Sequence, residues 1–268
     1  MEYSDRITIN KLGTLVIAGL HAISSSTAKP NSAREKSDGG LVTKADMAAS
    51  EAIIEAANHV FRTIPVHSEE RQVSDWLSYD EALVVDPLDG TTNFVHGLPF
   101  SSVSVALVRG GVPIAGVVAP LSGGWYFAAK GSGSYFGPAA GETKGAKRLR
   151  YAVRPLNRAV LNVSCDQNDE VSRHNWWDWL TRLRPPICFR LRIIESAAME
   201  LCWLASGHID GYLHPSDKPW DLAAGALIAA EAGVELFSPL LTPWELSTPG
   251  IIALTPRIAP MVRARLSG

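Results

Sequence analysis

The chain has 268 residues, enough for one large core or two modest ones. Apolar residues make up 46% and charged residues 19%, a balance that excludes wholesale disorder. The formal net charge of −2 argues against a nucleic-acid polymer as partner, because that affinity rests mainly on a basic excess that releases counterions.

Cys165, Cys188 and Cys202 are far apart and form no CxxC or Cys/His pattern of zinc spacing, so reduced thiols and a cytoplasmic location are expected. Residues 6–25 read as the first helix. Leu12, Val16, Leu20 and Ile23 recur at helical spacing, which suits docking on a core better than a signal peptide, and no run is expected to span a membrane. The polar stretch 24–40 reads as a loop, after which Thr43 or Asp46 caps a second helix to about His59, with Ala49, Ile53, Ile54 and Ala57 inward. Apolar Ile64 and Val66 precede Ser68-Glu69-Glu70, and Ala82 to Val85 ends at Asp86-Pro87, so both look like strands that deliver acids at their ends. Ser101 to Val108 and Val112 to Val118 flank Arg109-Gly110-Gly111, a hairpin signal, and Trp125 to Lys130 and Gly133 to Phe136 read as further strands. A shift to Gly, Ala, Lys and Arg over 138–150 marks a boundary between subdomains 1–140 and 141–268. The second half alternates: strand-like 159–163, 187–193 and 209–213, helix-like 174–183, 196–205 and 221–232. Such alternation predicts layered α and β elements.

The densest chemical signal is Asp86-Pro87-Leu88-Asp89-Gly90-Thr91-Thr92-Asn93-Phe94. Pro87 keeps the chain extended, so Asp86 and Asp89 can emerge together from a strand end. Gly90 frees the backbone, and a helical turn opening at Thr91-Thr92 turns unpaired N–H groups toward an anion. Hard carboxylates beside an anion-accepting turn describe a site for Mg²⁺ and a phosphate. A lone DxxDG would read as a capped turn. Here Glu69-Glu70 and Trp220-Asp221 add acids at two other element ends, and the acid spacing of a calcium-binding loop is missing.

These segments, with Leu41-Val42-Thr43-Lys44-Ala45-Asp46 and Lys218 to Gly225 followed by Glu231-Ala232-Gly233, resemble the inositol monophosphatase family, within the fructose-1,6-bisphosphatase-like superfamily, from about residue 9 to 255. The resemblance implies a layered α-β-α-β-α sandwich of the α+β class, a homodimer, and hydrolysis of a phosphate monoester by metal-activated water with two or three Mg²⁺ per site. Carried over by position, Glu69, Asp86 and the carbonyl of Leu88 would hold one ion, and Asp86, Asp89 and Asp221 another. Glu69, Thr91 and Asp46 would position the water, and the N–H groups of Gly90 and Thr91 would bind the phosphate. Lys36 stands near a basic residue of the family, on a loop of different length.

On the substrate side the candidates are Asp89, Glu195, Ser196, Ala197 and His214, and here the chain departs from the family pattern. Inositol-hydrolysing members carry Gly before the Ser or Thr where this chain has Glu195-Ser196-Ala197-Ala198, and a glutamate where Asp210-Gly211-Tyr212-Leu213 leads to His214. Imidazole cannot hold two hydroxyls as a carboxylate can. Trp176, Trp177 and Trp179 read as core or interface anchors, with nucleobase stacking as the minority reading. The basic run from Lys144 to Arg158 reads as a solvated face. The expected activity is hydrolysis of a small alcohol phosphate: an inositol monophosphate, a sugar phosphate or a nucleoside monophosphate. A 3′-phosphoadenosine-type nucleotide phosphatase and a non-catalytic regulatory protein of the same fold are the alternatives.

Overall fold

The computed structural model describes residues 1–26, 33–35 and 41–267, so Lys36 and most of the loop before residue 41 lie outside the described residues. Helix α1 (Tyr3–Ser25) is followed by the short antiparallel pair β1 (Arg34–Glu35) and β2 (Leu41–Val42) and by α2 (Lys44–Val60). Thr43 caps α2 through a capping box: its hydroxyl accepts from Ala45 N at 3.0 Å, and Asp46 Oδ2 accepts from Thr43 N at 2.7 Å. With 23 residues and a mean hydropathy of 1.3 over an 18-residue window, α1 is long and apolar enough to cross a membrane by length and composition, contrary to the expectation that no run would be. Its stripe of Ile9, Leu12, Leu15, Val16 and Ile23 is instead buried against α2 and a sheet.

That sheet has seven strands in the order β3-β4-β5-β6-β7-β8-β9. They are β3 (Val66–Ser68), β4 (Glu81–Asp89), β5 (Ser102–Arg109), β6 (Val112–Pro120), β7 (Trp125–Ala129), β8 (Gly133–Gly137) and β9 (Lys147–Arg148). Side chains alternate between its faces as the pleat requires. Leu83, Val85, Val103, Val105, Leu107 and Val117 meet α1 and α2, while Ala82, Val84, Ala106, Val108 and Val118 face the other way. At the β5–β6 turn Gly110 (φ +53) and Gly111 (φ +76) both take the left-handed region, as the hairpin signal predicted. Strand β4 does not stop at Asp86. It runs on to Asp89 because Pro87, which has no N–H to give a ladder, sits inside the register shift between Asp86 and Asp89. The helical turn expected after it is α3 (Thr91–Val95).

The second half supplies β10 (Val160–Val163), α4 (Glu170–Leu183), β11 (Arg190–Arg192), α5 (Ala197–Ala205), β12 (Gly211–His214), α6 (Pro219–Glu231), β13 (Glu235–Phe237), β14 (Ile251–Leu254) and α7 (Ala259–Leu266). The second sheet has the order β11-β10-β12-β14-β13. Leu161, Val163, Leu213, Ile252 and Leu254 face α4 and α7, and Tyr212, Ile251 and Ala253 face α5 and α6. Helices α5 and α6 are thus sandwiched between the sheets, and the layers run α-β-α-β-α. The apolar Ala223, Ala224, Leu227 and Ile228 of α6 close on the first sheet, and Leu222, Ala226 and Ala229 on the second, which explains a helix apolar on all sides. Glu231, at its end, accepts from Gly131 N and Gly133 N at 2.7 Å each and ties α6 to the β7–β8 turn.

Three sequence expectations shift. Helix α4 begins at Glu170 because Asp169 caps it through Val171 N at 3.0 Å. The strand expected over 187–193 shrinks to β11, since residues 184–188 form a turn. Trp179 is buried and Trp176 packs with it, giving its Nε1–H to Val163 O at 2.9 Å, while Trp177 stays exposed.

Candidate active site

Three segments far apart in sequence deliver carboxylates to one pocket of about 220 Å³. Glu69 follows β3, where its N–H bonds Val85 O at 3.2 Å. Asp86 and Asp89 stand on the irregular end of β4, and Asp221 lies in the first turn of α6, with Oδ2 accepting from Lys218 N at 2.8 Å. Leu88, Gly90, Thr91, Glu195, Ser196, Ala197 and His214 line the same pocket. A larger cavity, about 620 Å³, lies between the β5–β6 turn and α6 and holds none of the four acids. The chemistry follows the acids, not the volume.

The electrostatics of this arrangement call for a cation. Burial, then Glu69, Asp89 and Asp221, push the Asp86 carboxyl well above its usual range, and burial, then Asp217 and Glu69, do the same to Asp221. Burial lifts Asp89 to about 6 against the hydrogen bonds it accepts. Among the described residues no Lys or Arg lines the pocket to offset them. All the donors are hard oxygens, the set that suits Mg²⁺. Yet among the described residues no three acidic, His or Cys side chains enclose a single ion position as they stand. Local hydrogen bonds hold them: Asp86 Oδ1 accepts from Leu88 N at 2.9 Å, and Asp89 Oδ2 from Ser196 Oγ at 2.5 Å and Ser102 Oγ at 3.1 Å. The donor set therefore fits the ion chemically.

Gly90 caps α3 at φ +79, and a Cβ there would stand 2.4 Å from the carbonyl oxygen of Phe100, so the turn admits only glycine. Thr91 Oγ1 lies 2.8 Å from Asp46 Oδ1 and 3.0 Å from Leu88 O, both acceptors. Asp46 is buried, is not part of the pocket wall, and is linked to the pocket through Thr91.

On the substrate side, Glu195 is exposed at φ +61, a left-handed backbone that glycine adopts freely and a glutamate does not. Replacing it with glycine is expected to stabilise the protein by about 1 kcal/mol, read as a higher thermal midpoint. A lower midpoint would show that the glutamate makes a contact that outweighs the strain. Burial, with Lys218 adding to it, pushes the His214 imidazole down to about 3, so it is neutral.

Several residues that hold the site escaped the sequence reading. Asn93 Nδ2 donates to Ile194 O at 2.8 Å and Phe100 O at 3.1 Å, tying the acid-bearing turn to the segment before Ser196. Glu200 Oε2 accepts from Ser196 N at 3.0 Å and Oε1 from Asn162 Nδ2 at 2.8 Å. Asp217 and Ser164 also line the pocket. Asp217 sits in a Pro-Ser-Asp-Lys-Pro stretch that reads as an ordinary turn, and the others need contacts between distant segments, so only the Asn93 neighbourhood carried a local signal.

With this geometry in place, the known proteins give it a context. The inositol monophosphatase family profile matches residues 7–266. Nus factor SuhB of Pasteurella multocida is 35% identical over 74% of this chain and 72% of its own length. Inositol monophosphatase 1 of Solanum lycopersicum is 31% identical over 81% and 79%. The crystal structure of the extragenic suppressor protein SuhB from Bartonella henselae superposes with a TM-score of 0.82 at 25% identity, over 97% of this chain and 98% of that one. The chain belongs to the inositol monophosphatase family. Membership defines its class as a phosphoric monoester hydrolase acting on a small-molecule phosphate ester.

Proposed function

We propose that this protein is a Mg²⁺-dependent phosphatase that hydrolyses a small alcohol phosphate with water as nucleophile. The observation that carries the proposal is the meeting of Glu69, Asp86, Asp89 and Asp221 in one pocket whose lining, among the described residues, includes no Lys or Arg. In this reading Glu69, Asp86 and the Leu88 carbonyl would hold one ion and Asp86, Asp89 and Asp221 a second, within a complement of two or three Mg²⁺ per site. Mg²⁺ supplies Lewis acidity toward the ester and makes water acidic enough to attack near neutral pH. The single hydroxyl proton of Thr91 is committed to Asp46 or to Leu88 O, so its oxygen faces the pocket as an acceptor and orients a water O–H. Asp46 is then a positioning residue, and Glu69 takes the proton that the attacking water gives up. The N–H groups of Gly90 and Thr91 receive the phosphoryl oxygens, the phosphorus–oxygen ester bond breaks, and the products are an alcohol and inorganic phosphate.

A pocket of about 220 Å³ favours a compact alcohol over a 3′-phosphoadenosine-type nucleotide, since sites for larger ligands run to roughly 300 Å³ and more. We further propose a division of labour in which residues 1–140 bring most metal ligands and 141–268 bring Asp221 and the specificity residues. Three buried free cysteines support a cytoplasmic location, and a homodimer is carried over from the family. The relatives named Nus factor SuhB motivate a second reading, a non-catalytic regulatory protein of the same fold. One assay separates the two readings. Chelator-stripped protein, given inositol, sugar and nucleoside monophosphates in turn, is expected to release phosphate only after Mg²⁺ is restored. Turnover that ignores the chelator would overturn the metal proposal, and silence across the whole panel would favour the regulatory reading.

A further inference from the structure

We propose that His67 is a positioning residue for the metal site: its ring, clasped between Trp76 and Trp220, sets the spacing between the strand end that carries Glu69 and the helix start that carries Asp221. This rests on the Mg²⁺ reading and adds to it a residue that is not part of the acidic pocket's wall. Glu69 follows β3 and Asp221 opens α6, elements from opposite halves of the chain. Mg²⁺ tolerates little departure from octahedral geometry at about 2.1 Å, so the spacing of these two acids bears directly on affinity.

The pleat of β3 sends Val66 toward α1 and α2 and turns the His67 side chain to the opposite face, where Trp76 and Trp220 are buried. His67 itself is buried. Its ring centroid lies 4.9 Å from that of Trp76 with 17° between the planes, a stack, and 5.4 Å from that of Trp220 at 47°. Both separations fall where aromatic rings attract. Trp220 is the residue before Asp221 in the first turn of α6, and Trp76 opens the short helical turn Trp76–Ser78 on the way from β3 to β4. His67 Nδ1 accepts from Val73 N at 3.1 Å, which fixes the rotation of the ring and closes the chain over residues 67–73. Inside that closure Ser68 N donates to Arg71 O at 3.0 Å and Arg71 N to Ser68 O at 3.2 Å, so Glu69 sits in a tight turn held at both ends. A core residue chosen for volume alone needs no ring nitrogen, and one chosen for the hydrogen bond alone needs no flat face. Histidine supplies both, and the two contacts lead to the two segments that bear Glu69 and Asp221.

The test measures Mg²⁺ binding by calorimetry, and the thermal midpoint in chelator, for the wild type, His67→Asn and His67→Phe. Asparagine keeps a polar acceptor near the place of Nδ1 and loses the ring, whereas phenylalanine keeps a ring and loses the acceptor. His67→Asn is expected to weaken Mg²⁺ binding about 10- to 100-fold, the usual effect of removing a group that holds metal ligands in place. His67→Phe is expected to bind Mg²⁺ within about threefold of the wild type, although its midpoint falls because the Val73 N–H goes unmet. If the asparagine variant does not fold, His67→Leu, of similar bulk and without a ring, takes its place with the same expectation. Wild-type affinity in the variant that lacks the ring overturns the positioning role. A loss of equal size in His67→Phe overturns it as well, since affinity would then follow stability alone. A wild type that takes up no Mg²⁺ overturns the metal reading itself, and the positioning role with it.

Discussion

Asp89→Asn is expected to cut Mg²⁺-dependent phosphate release by at least about 1000-fold while the protein stays folded, because metal catalysis supplies several kcal/mol of charge stabilisation to the reaction. Asp89 is buried at the end of β4 and held by the hydroxyls of Ser196 and Ser102 and by the N–H groups of Ala198 and Met199 at the start of α5. An asparagine keeps the shape and one acceptor oxygen, so the join between β4 and α5 survives. What it loses is the charge. Without that charge the crowd around Asp86 is relieved, and the metal-free variant is expected to be at least as stable as the wild type. Phosphate release and thermal unfolding, measured on the same preparation, check both halves. Turnover near the wild-type rate would remove Asp89 from the proposed ligand set.

The second large effect concerns pH. Glu200 is fully buried in α5, and burial pushes its carboxyl up from 4.5 to about 8, against the hydrogen bonds from Ser196 N and Asn162. The folded protein therefore holds this proton more tightly than the unfolded chain does. Below about pH 4.5 the group is protonated in both states and costs nothing. As pH rises from there through about 8 it ionises first in the unfolded chain, so stability falls, and above 8 the loss is complete. Its size is on the order of 4 kcal/mol. Burial moves Asp89 to about 6 and Asp217 to about 7 in the same sense, so the wild type alone cannot isolate one group. The difference between wild type and Glu200→Gln does isolate it. In urea unfolding with chelator present, the variant is expected to gain on the wild type between pH 5 and pH 8 and to level off above that, and a difference that stays constant from pH 5 to pH 8 would show that Glu200 ionises normally.

The parts of the site written in one continuous stretch were legible from sequence. Pro87 and Gly90 punctuate the acid-bearing turn, and Pro219 with Trp220-Asp221 announces the start of α6, because backbone restriction and helix initiation are local effects. The period-two pattern likewise exposed β5 and β6. Elements of a few residues escaped. Strand β13 has three residues and β14 four, too few to show a period, and α7 has only eight. Asn93 bonds a carbonyl 101 positions away, and Asp217 owes its place to Tyr212 and His214 beneath it. Such roles belong to the packing of distant segments, and no window of sequence contains them.

The central claim is that Glu69, Asp86, Asp89 and Asp221 share divalent ions, and a crystal structure determined with Mg²⁺ and inorganic phosphate tests it most directly. The account predicts ions about 2.1 Å from oxygens of these side chains and of Leu88, with phosphate against Gly90 and Thr91. A pocket that stays free of metal at saturating Mg²⁺, or an ion bound away from these four acids, would contradict it.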